Sequence, residues 1–206
     1  TTFAPKAPPG SCQVIRPEGA GTTNFISLSG ECNGEIPQYV AVFNGQTSYV
    51  SLPTSIVPIG AMTRTLTAWF YTTSNINQNI LGYGANSACN SGFDININLT
   101  CYGGGTNIGV AMDPGCGLAC SSPPGASLNS WYFVAVTYNG IAAVTYLSST
   151  KGGLTSGGVD TYTANTNVDA GFNIGHGAGY HVLDPYFSGL ISNVQLYNTA
   201  LSSNDI

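Results

Sequence analysis

The chain has 206 residues, of which 43% are hydrophobic and only 6% are charged, whereas about a quarter of an ordinary soluble domain is charged. Four basic and nine acidic residues give a net charge of −5, and without any basic run the sequence excludes nucleic acid and anionic membranes as expected partners. No stretch is apolar for long enough to span a bilayer, so we predict no membrane span within these residues.

The N-terminal part of the chain divides into two predicted segments. Residues 1–11 contain three prolines and predict an extended linker. Residues 12–37 predict an added hairpin, because a turn midway along it places Cys12 and Cys32 opposite each other across two strands, where they can form a disulfide. We expect the whole of 12–206 to form one domain.

Short segments rich in β-branched and aromatic residues, separated by Asn-Gly, Gly and Pro, predict strands along the rest of the chain. The predicted strands lie in residues 39–53 (two strands around Asn44-Gly45), 66–71, 80–84, 93–99, 107–112, 131–138, 142–147, 172–175 and 187–197. Segment 93–99 alternates apolar with polar residues, which indicates a half-buried strand with a polar outer face. Residues 148–168 are predicted to be loop. The capping-box spacing of 202–205 predicts one helical turn at the end.

The most apolar of these strands is 131–138, which ends at an Asn-Gly turn. Both of its side-chain rows are aromatic, aliphatic or small, so neither face suits water. We therefore predict that it lies mid-sheet, covered on both sides, and that Trp69 and Trp131 belong to the core. Ten or more short strands without helical periodicity predict an all-β fold, a two-sheet antiparallel β-sandwich.

Five motifs stand in a characteristic order and spacing. They are 43–50 (FNGQTSYV), 66–70 (LTAWF), 131–140 (WYFVAVTYNG), 172–175 (FNIG) and 187–202 (FSGLISNVQLYNTALS). This arrangement resembles laminin-G-like domains of the concanavalin A-like lectin/glucanase superfamily, from about residue 38 to the end. The resemblance implies a concanavalin A-like jelly roll. The chain departs from the family pattern at 146–150, where YLSST replaces the usual Tyr-Val-Asn-Gly hairpin.

The lead-in 1–12 (TTFAPKAPPGSC) is similar to segments that follow the apolar N-terminal helix in pilin-like surface proteins of small-genome archaea. That resemblance implies a domain displayed at the cell surface. It also implies an alternative role, that of a subunit that self-associates into a filament.

The carboxylates do not form the acidic cluster, Glu-x-Asp-x-x-Glu or close to it, that glucanases of this superfamily carry. They are Glu18, Glu31, Glu35, Asp94, Asp113, Asp160, Asp169, Asp184 and Asp205. Only Glu31 and Glu35 are close, and the residues between them read as a turn. Since Gly-x-Ser-x-Gly is also missing, we predict no enzymatic activity; a polysaccharide hydrolase or lyase is the alternative.

Calcium is common in laminin-G-like domains and binds hard oxygen ligands. The candidate metal ligands are Asp113, Asp169 and Asp184, helped by loop carbonyls. Isolated loop aspartates also form turns, so a Ca²⁺ site is one hypothesis and a metal-free loop the other.

Aromatic rings beside amide and carboxylate groups suit saccharides, because rings stack on C–H faces while Asn and Asp bond hydroxyls. The loop 175–186 (GHGAGYHVLDPY) has this combination. The candidate ligand-binding residues are His176, Tyr180, His181, Asp184 and Tyr186 in this loop, with Tyr83, Asn86 and Tyr102 elsewhere. An ordinary exposed loop is the other interpretation.

Six cysteines without C-x-x-C pairs or adjacent histidines predict disulfides rather than zinc, and a location outside the cytosol. Nearness in sequence favours Cys89 with Cys101 and Cys116 with Cys120. A regular strand over 92–100 would hold Cys89 and Cys101 apart, so either that strand is shorter or the pairing is crossed, and we keep the near pairing. Asn98 belongs to the single glycosylation sequon of the sequence.

Together these patterns predict an extracellular, cell-surface head domain. We expect it to be lectin-like and non-catalytic, and to bind a glycan or a partner surface in adhesion.

Overall fold

The computed structural model describes residues 24–27, 39–84, 89–97, 110–113, 125–150, 152–177 and 186–206. Its strands are β1 (Asn24–Ser27), β2 (Tyr39–Asn44), β3 (Val50–Leu52), β4 (Arg64–Thr72), β5 (Gln78–Gly84), β6 (Gly92–Ile97), β7 (Val110–Asp113), β8 (Trp131–Tyr138), β9 (Ala142–Ser149), β10 (Thr155–Thr161), β11 (Phe172–Ile174) and β12 (Ser188–Tyr197). The helical structure of the described part is one 3₁₀ turn, Thr54–Ile56.

The strands form two antiparallel sheets, which confirms the predicted β-sandwich. The seven-stranded sheet has the order β1-β2-β12-β4-β8-β9-β10, and the five-stranded sheet has the order β3-β11-β5-β6-β7. Apolar residues of both inner faces make one core, with Phe70 and Val136 from the larger sheet and Leu81 and Ile95 from the smaller, all fully buried.

The turn at Asn44-Gly45 moves the chain from one sheet to the other. The strands on its two sides were both predicted, and the structure places β2 in the larger sheet and β3 in the smaller. Asn44 Oδ1 accepts hydrogen bonds from the backbone N–H groups of Gln46, Thr47 and Ser48. These bonds satisfy backbone N–H groups of the turn that have no partner on a neighbouring strand.

Strand β8 lies mid-sheet between β4 and β9, as predicted. The prediction that both faces are covered holds for residues 134–138, which are all buried, but the prediction that Trp69 and Trp131 belong to the core is wrong. Both indoles are only partly buried, because the pleat turns Phe70 inward and its neighbours outward. On the outer face the ring of Trp69 contacts that of Phe133 at 5.6 Å between centroids, and Tyr71 contacts Trp131 at 5.8 Å, both in tilted geometry.

Strand β10 was not predicted, whereas the predicted C-terminal helical turn is present. Strand β10 lies in the segment predicted to be loop, and its pairing with β9 is interrupted by a bulge between Ser156 and Val159. The predicted C-terminal helical turn is a hydrogen-bonded turn in which Ile206 N–H donates to Ser202 O. Ser202 Oγ donates to Asp205 Oδ2 at 2.6 Å, and this bond and that from the Ser202 N–H lower the pKa of Asp205.

Most of the predicted linker and added hairpin lies outside the described residues. The part that is described, β1, pairs antiparallel with β2, with Asn24 opposite Val42. The proposed Cys12–Cys32 disulfide is not within the described ranges and stays a prediction, as does the single-domain boundary at residue 12.

Candidate functional site

The candidate site lies on the outer face of the five-stranded sheet, at the edge formed by β3 and β11. Ser51 and Asn173 are register partners on these two strands. Phe172 points into the core, where it is 1% exposed, so alternation along β11 turns Asn173 to the opposite, outer face. Two hydrogen-bonding side chains therefore lie side by side at the sheet edge.

Three aromatic rings gather beside these polar side chains. The ring centroids of His176 and Tyr186 are 4.4 Å apart, and Tyr49 lies 5.7 Å from His176 and 6.3 Å from Tyr186. The tilted rings enclose one side of a surface cavity of about 330 Å³. The cavity is lined by Tyr49, Ser51, Ala170, Gly171, Asn173, His176, Gly177 and Tyr186.

Backbone contacts under the cluster explain why His176 and Tyr186 meet. Phe187 N–H donates to Gly175 O at 2.9 Å, and Gly175 N–H donates to Ile80 O at 2.8 Å, so the two ends of the intervening segment are bonded to each other and Gly175 is bonded to β5. Gly175 has φ of +81° and no room for a Cβ, which would meet the ring of Phe43. Glycine is thus required at this position.

The ring of His176 is neutral at neutral pH. Partial burial lowers the pKa of His176 below its usual 6.5, against a smaller opposing effect of a hydrogen bond with the Gly177 backbone. A neutral imidazole has one N–H donor and one acceptor nitrogen. The cavity therefore offers aromatic faces, an amide and hydroxyl groups, without a formal positive charge on its histidine.

The structure brings together two of the predicted ligand-binding residues, His176 and Tyr186. Tyr180, His181, Asp184 and Asn86 lie outside the described residues, as does Tyr102, so their predicted roles stay predictions.

Tyr83 is a correction to the predicted binding residues. Its ring is fully buried, and its hydroxyl donates to Pro58 O at 2.9 Å and accepts from Arg64 Nη1 at 3.0 Å. Burial raises the pKa of Tyr83 to about 12, although the Arg64 charge opposes this. Tyr83 pairs in register with Phe172 and Phe93, whose rings point inward, so its own ring belongs to the core and does not reach a ligand.

The predicted metal ligands do not converge in the described part of the chain. Asp113 ends β7 and Asp169 lies in the exposed turn before β11, so β5 and β6 separate the two strands concerned. Among the described residues, no three His, Cys, Asp or Glu side chains group as a metal site would require. Asp184 is outside these ranges, and the calcium hypothesis is untested.

A pair of acidic positions escaped the sequence analysis, which treated the carboxylates as scattered. Asp94 of β6 is the register partner of Asp113 of β7, and Asp94 is also opposite Gly82 of β5. The Asp94 carboxylate lies over Gly82 and is 1% exposed. Register between the consecutive strands β6 and β7 produces this pairing, which spacing along the chain does not reveal.

The cysteine and glycosylation predictions mostly fall outside the described ranges. Cys89 is exposed, and the other five cysteines lie outside the described residues, so no disulfide pairing is tested. Asn98 follows the last described residue of β6. These expectations stay predictions.

Sequence reasoning missed three residues of the site, namely Tyr49, Ser51 and Asn173. Tyr49 and Ser51 alternate with Val50 and Leu52, which pack against the core, and that alternation was a usable signal for an outward face. Nothing local indicated that β3 and β11 are neighbours.

Comparison with known families agrees with this architecture. A laminin-G sequence model, described as the concanavalin A-like lectin/glucanases superfamily, matches residues 44–206. The match covers most of the chain, so the chain belongs to the concanavalin A-like lectin/glucanase superfamily and is a laminin-G-like domain. No curated protein sequence matches it.

Solved structures share the fold at low sequence identity. Domain 4 of AbnA, a GH43 extracellular arabinanase from Geobacillus stearothermophilus in complex with arabinotriose, has a TM-score of 0.57 at 19% identity, over 90% of this chain and 79% of that one. A putative carbohydrate binding protein from Bacteroides ovatus has a TM-score of 0.54 at 22% identity, over 80% of this chain and 44% of that one. Mouse laminin α1 domains LG4-5 have a TM-score of 0.53 at 13% identity, over 81% of this chain and 44% of that one. At these identities the likeness shows the fold alone, and this chain spans less than half the length of the last two.

Within the described ranges, none of the helical structure is long and apolar enough to cross a membrane.

Proposed function

We propose that this laminin-G-like domain is a non-catalytic, lectin-like module that binds saccharide at the Tyr49–His176–Tyr186 cluster. The observation that carries the proposal is the 4.4 Å approach of His176 to Tyr186 beside the open cavity. Amphipathic rings with a polar handle are the side chains that suit a ligand with both apolar faces and hydroxyl groups.

The polar lining supports the same ligand class. Asn173 provides an amide with two donors and one acceptor oxygen, and Ser51 provides a hydroxyl. Both sit on paired strands, not on a loop, so their relative position is held by the ladder. Such a rigid polar pair fixes the orientation of a ligand that stacks on the neighbouring rings.

The structural relatives agree with a saccharide ligand. One relative is a domain seen with arabinotriose, and another is described as a putative carbohydrate binding protein. Laminin domains of the same fold agree with the extracellular adhesive role that we propose for this chain.

The proposal is tested on a glycan array followed by calorimetric titration of the best saccharide. Tyr186→Ala is expected to weaken binding by at least about tenfold, the equivalent of about 1.4 kcal/mol. Tyr146→Ala is the matched control, because Tyr146 is a partly exposed tyrosine in β9 of the other sheet. Equal affinity of native protein and Tyr186→Ala would contradict the proposed site. If no saccharide binds and the protein polymerises with concentration, the filament-subunit alternative is favoured.

One observation favours a second candidate, a polysaccharide hydrolase or lyase. Asp94 and Asp113 are register partners, so two acidic residues stand opposite each other on neighbouring strands, and a pair of carboxylates is what most glycosidases use for catalysis. The burial of Asp94 argues against access by substrate. Reducing ends released by the native domain and lost in Asp94→Asn would establish this activity.

A further inference from the structure

The charges around the site determine which saccharides it accepts. The four basic residues of the chain are Lys6, Arg16, Arg64 and Lys151. Of these, Arg64 is described and is fully buried. No Lys or Arg occurs in 39–63 or in 152–206, the two segments that supply every residue of the cavity lining.

The guanidinium of Arg64 is committed to the core. It donates to Pro58 O and Tyr83 Oη through Nη1 at 3.1 and 3.0 Å, and to Met62 O through Nε at 3.0 Å. It also lies 4.9 Å from the ring centroid of Phe93. This cation therefore cannot reach a ligand on the outer face of the sheet.

The charge that does lie near the cavity is negative. Asp169 is exposed and directly precedes Ala170 and Gly171, which line the cavity. An acidic ligand would meet this negative charge without a compensating cation from the described residues.

A carboxylate or sulfate group loses its hydration when it enters such a site. Proteins usually repay that cost with Arg or Lys, whose charged hydrogen bonds are about twice as strong as neutral ones. The described lining provides the neutral donors of Asn173, Ser51, His176 and the tyrosines. These suffice for hydroxyl groups, but an unpaired buried charge remains costly.

Resting on the saccharide-binding function proposed above, we propose that this site selects neutral saccharides and rejects uronic acids and sulfated sugars. The neutral state of the His176 imidazole at neutral pH agrees with this selectivity.

The test compares sugars that share the same linkage and differ only at C6, which carries a hydroxymethyl group in the neutral member and a carboxylate in the acidic member. Oligogalactosides and oligogalacturonides of equal length are titrated into the native domain at pH 7.5, alongside cello-oligosaccharides and their C6-oxidised glucuronides. Neutral members are expected to bind at least about tenfold more tightly than their acidic partners, with little dependence on salt because no ion pair forms. Acidic members that bind equally or more tightly, and lose affinity as salt rises, overturn the inference while leaving the saccharide-binding function standing. Binding of no saccharide, neutral or acidic, on this panel or on the glycan array overturns both.

A charge-introducing variant provides a second measurement. Ser51→Lys adds a cation at the exposed sheet edge beside Asn173, and it should shift the neutral-to-acidic affinity ratio at least about tenfold toward the acid. Ser156→Lys, at an exposed position of β10 in the other sheet, is the matched control and should leave the ratio unchanged. An unaltered ratio in Ser51→Lys contradicts the assignment of the site.

Discussion

The rings of His176 and Tyr186 are 4.4 Å apart, although nine residues separate them in sequence. The hydrogen bond from Phe187 N–H to Gly175 O closes the segment directly beneath the two rings. Phe43 and Phe187, whose ring centroids are 6.0 Å apart, form the buried floor. The site therefore depends on Gly175. Its backbone carbonyl accepts the hydrogen bond from Phe187, and its lack of a Cβ leaves room for the ring of Phe43.

Replacing Gly175 by alanine should destabilise the domain by about 2–5 kcal/mol. The left-handed conformation costs an L-residue about 1–2 kcal/mol, and a methyl group driven against Phe43 adds about 1–3 kcal/mol of overpacking. Gly60→Ala is the matched control, since Gly60 also has positive φ but open space around it. Urea unfolding should show Gly60→Ala losing only the first contribution; equal losses would contradict the packing account.

Replacing Arg64 by methionine should destabilise the fold by about 3–5 kcal/mol. The substitution keeps much of the side-chain volume but removes the donors on which Pro58 O, Met62 O and Gly60 O depend. Arg64→Lys restores the charge without the planar fork, so we expect an intermediate loss. Chemical denaturation measures the free energy of unfolding of both variants. A methionine variant as stable as the native domain would show that these carbonyls need no partner.

The stability of the domain should fall at alkaline pH partly because of Tyr83. Its pKa is raised from 10.0 to about 12 in the folded state, so the unfolded chain releases the phenolic proton first. The contribution of Tyr83 is fully present below pH 10 and is lost as pH rises toward 12. Melting temperatures measured from pH 8 to 11.5 should fall less steeply in Tyr83→Phe than in the native protein. Parallel curves would contradict burial of the Tyr83 hydroxyl.

On the acid side, His176 should make the fold less stable as pH falls below 6.5. The folded-state pKa of His176 is lowered by burial, so the unfolded chain takes up the proton first and gains stability over this range. The loss stops once pH passes the folded-state pKa. His176→Gln removes the titration, so its stability curve should be flatter just below pH 6.5. A native curve that matches the variant would show that the imidazole is as solvated as in the unfolded chain.

The fold was largely predictable because strand periodicity is a local signal. Strands such as β4, β8 and β12 lie where runs of β-branched and aromatic residues, bounded by turn residues, place them. The two tryptophans show the limit, since alternation assigns Trp69 and Phe70 to opposite faces but does not say which face meets the other sheet. Strand β10 was missed because Gly157-Gly158 lowers strand propensity, and pairing with β9 overrides it.

The site was predictable only in part. His176 and Tyr186 share a loop whose composition is visible in the sequence, whereas Tyr49 and Asn173 reach them through the pairing of β3 with β11, strands about 120 residues apart. Strand register also produced the Asp94–Asp113 pair and buried Tyr83. Residues that meet through the topology of the sheets need the structure to be recognised.

The most direct measurement of the central claim is mapping of a bound neutral oligosaccharide on the ¹⁵N-labelled domain by NMR. The account predicts saturable shifts in the amides of Tyr49, Asn173, Gly177 and Tyr186, with the outer-face amides of Trp69 and Trp131 unchanged. Shifts confined to the Trp69–Trp131 face, with the Tyr49–His176–Tyr186 cluster unperturbed, would contradict it.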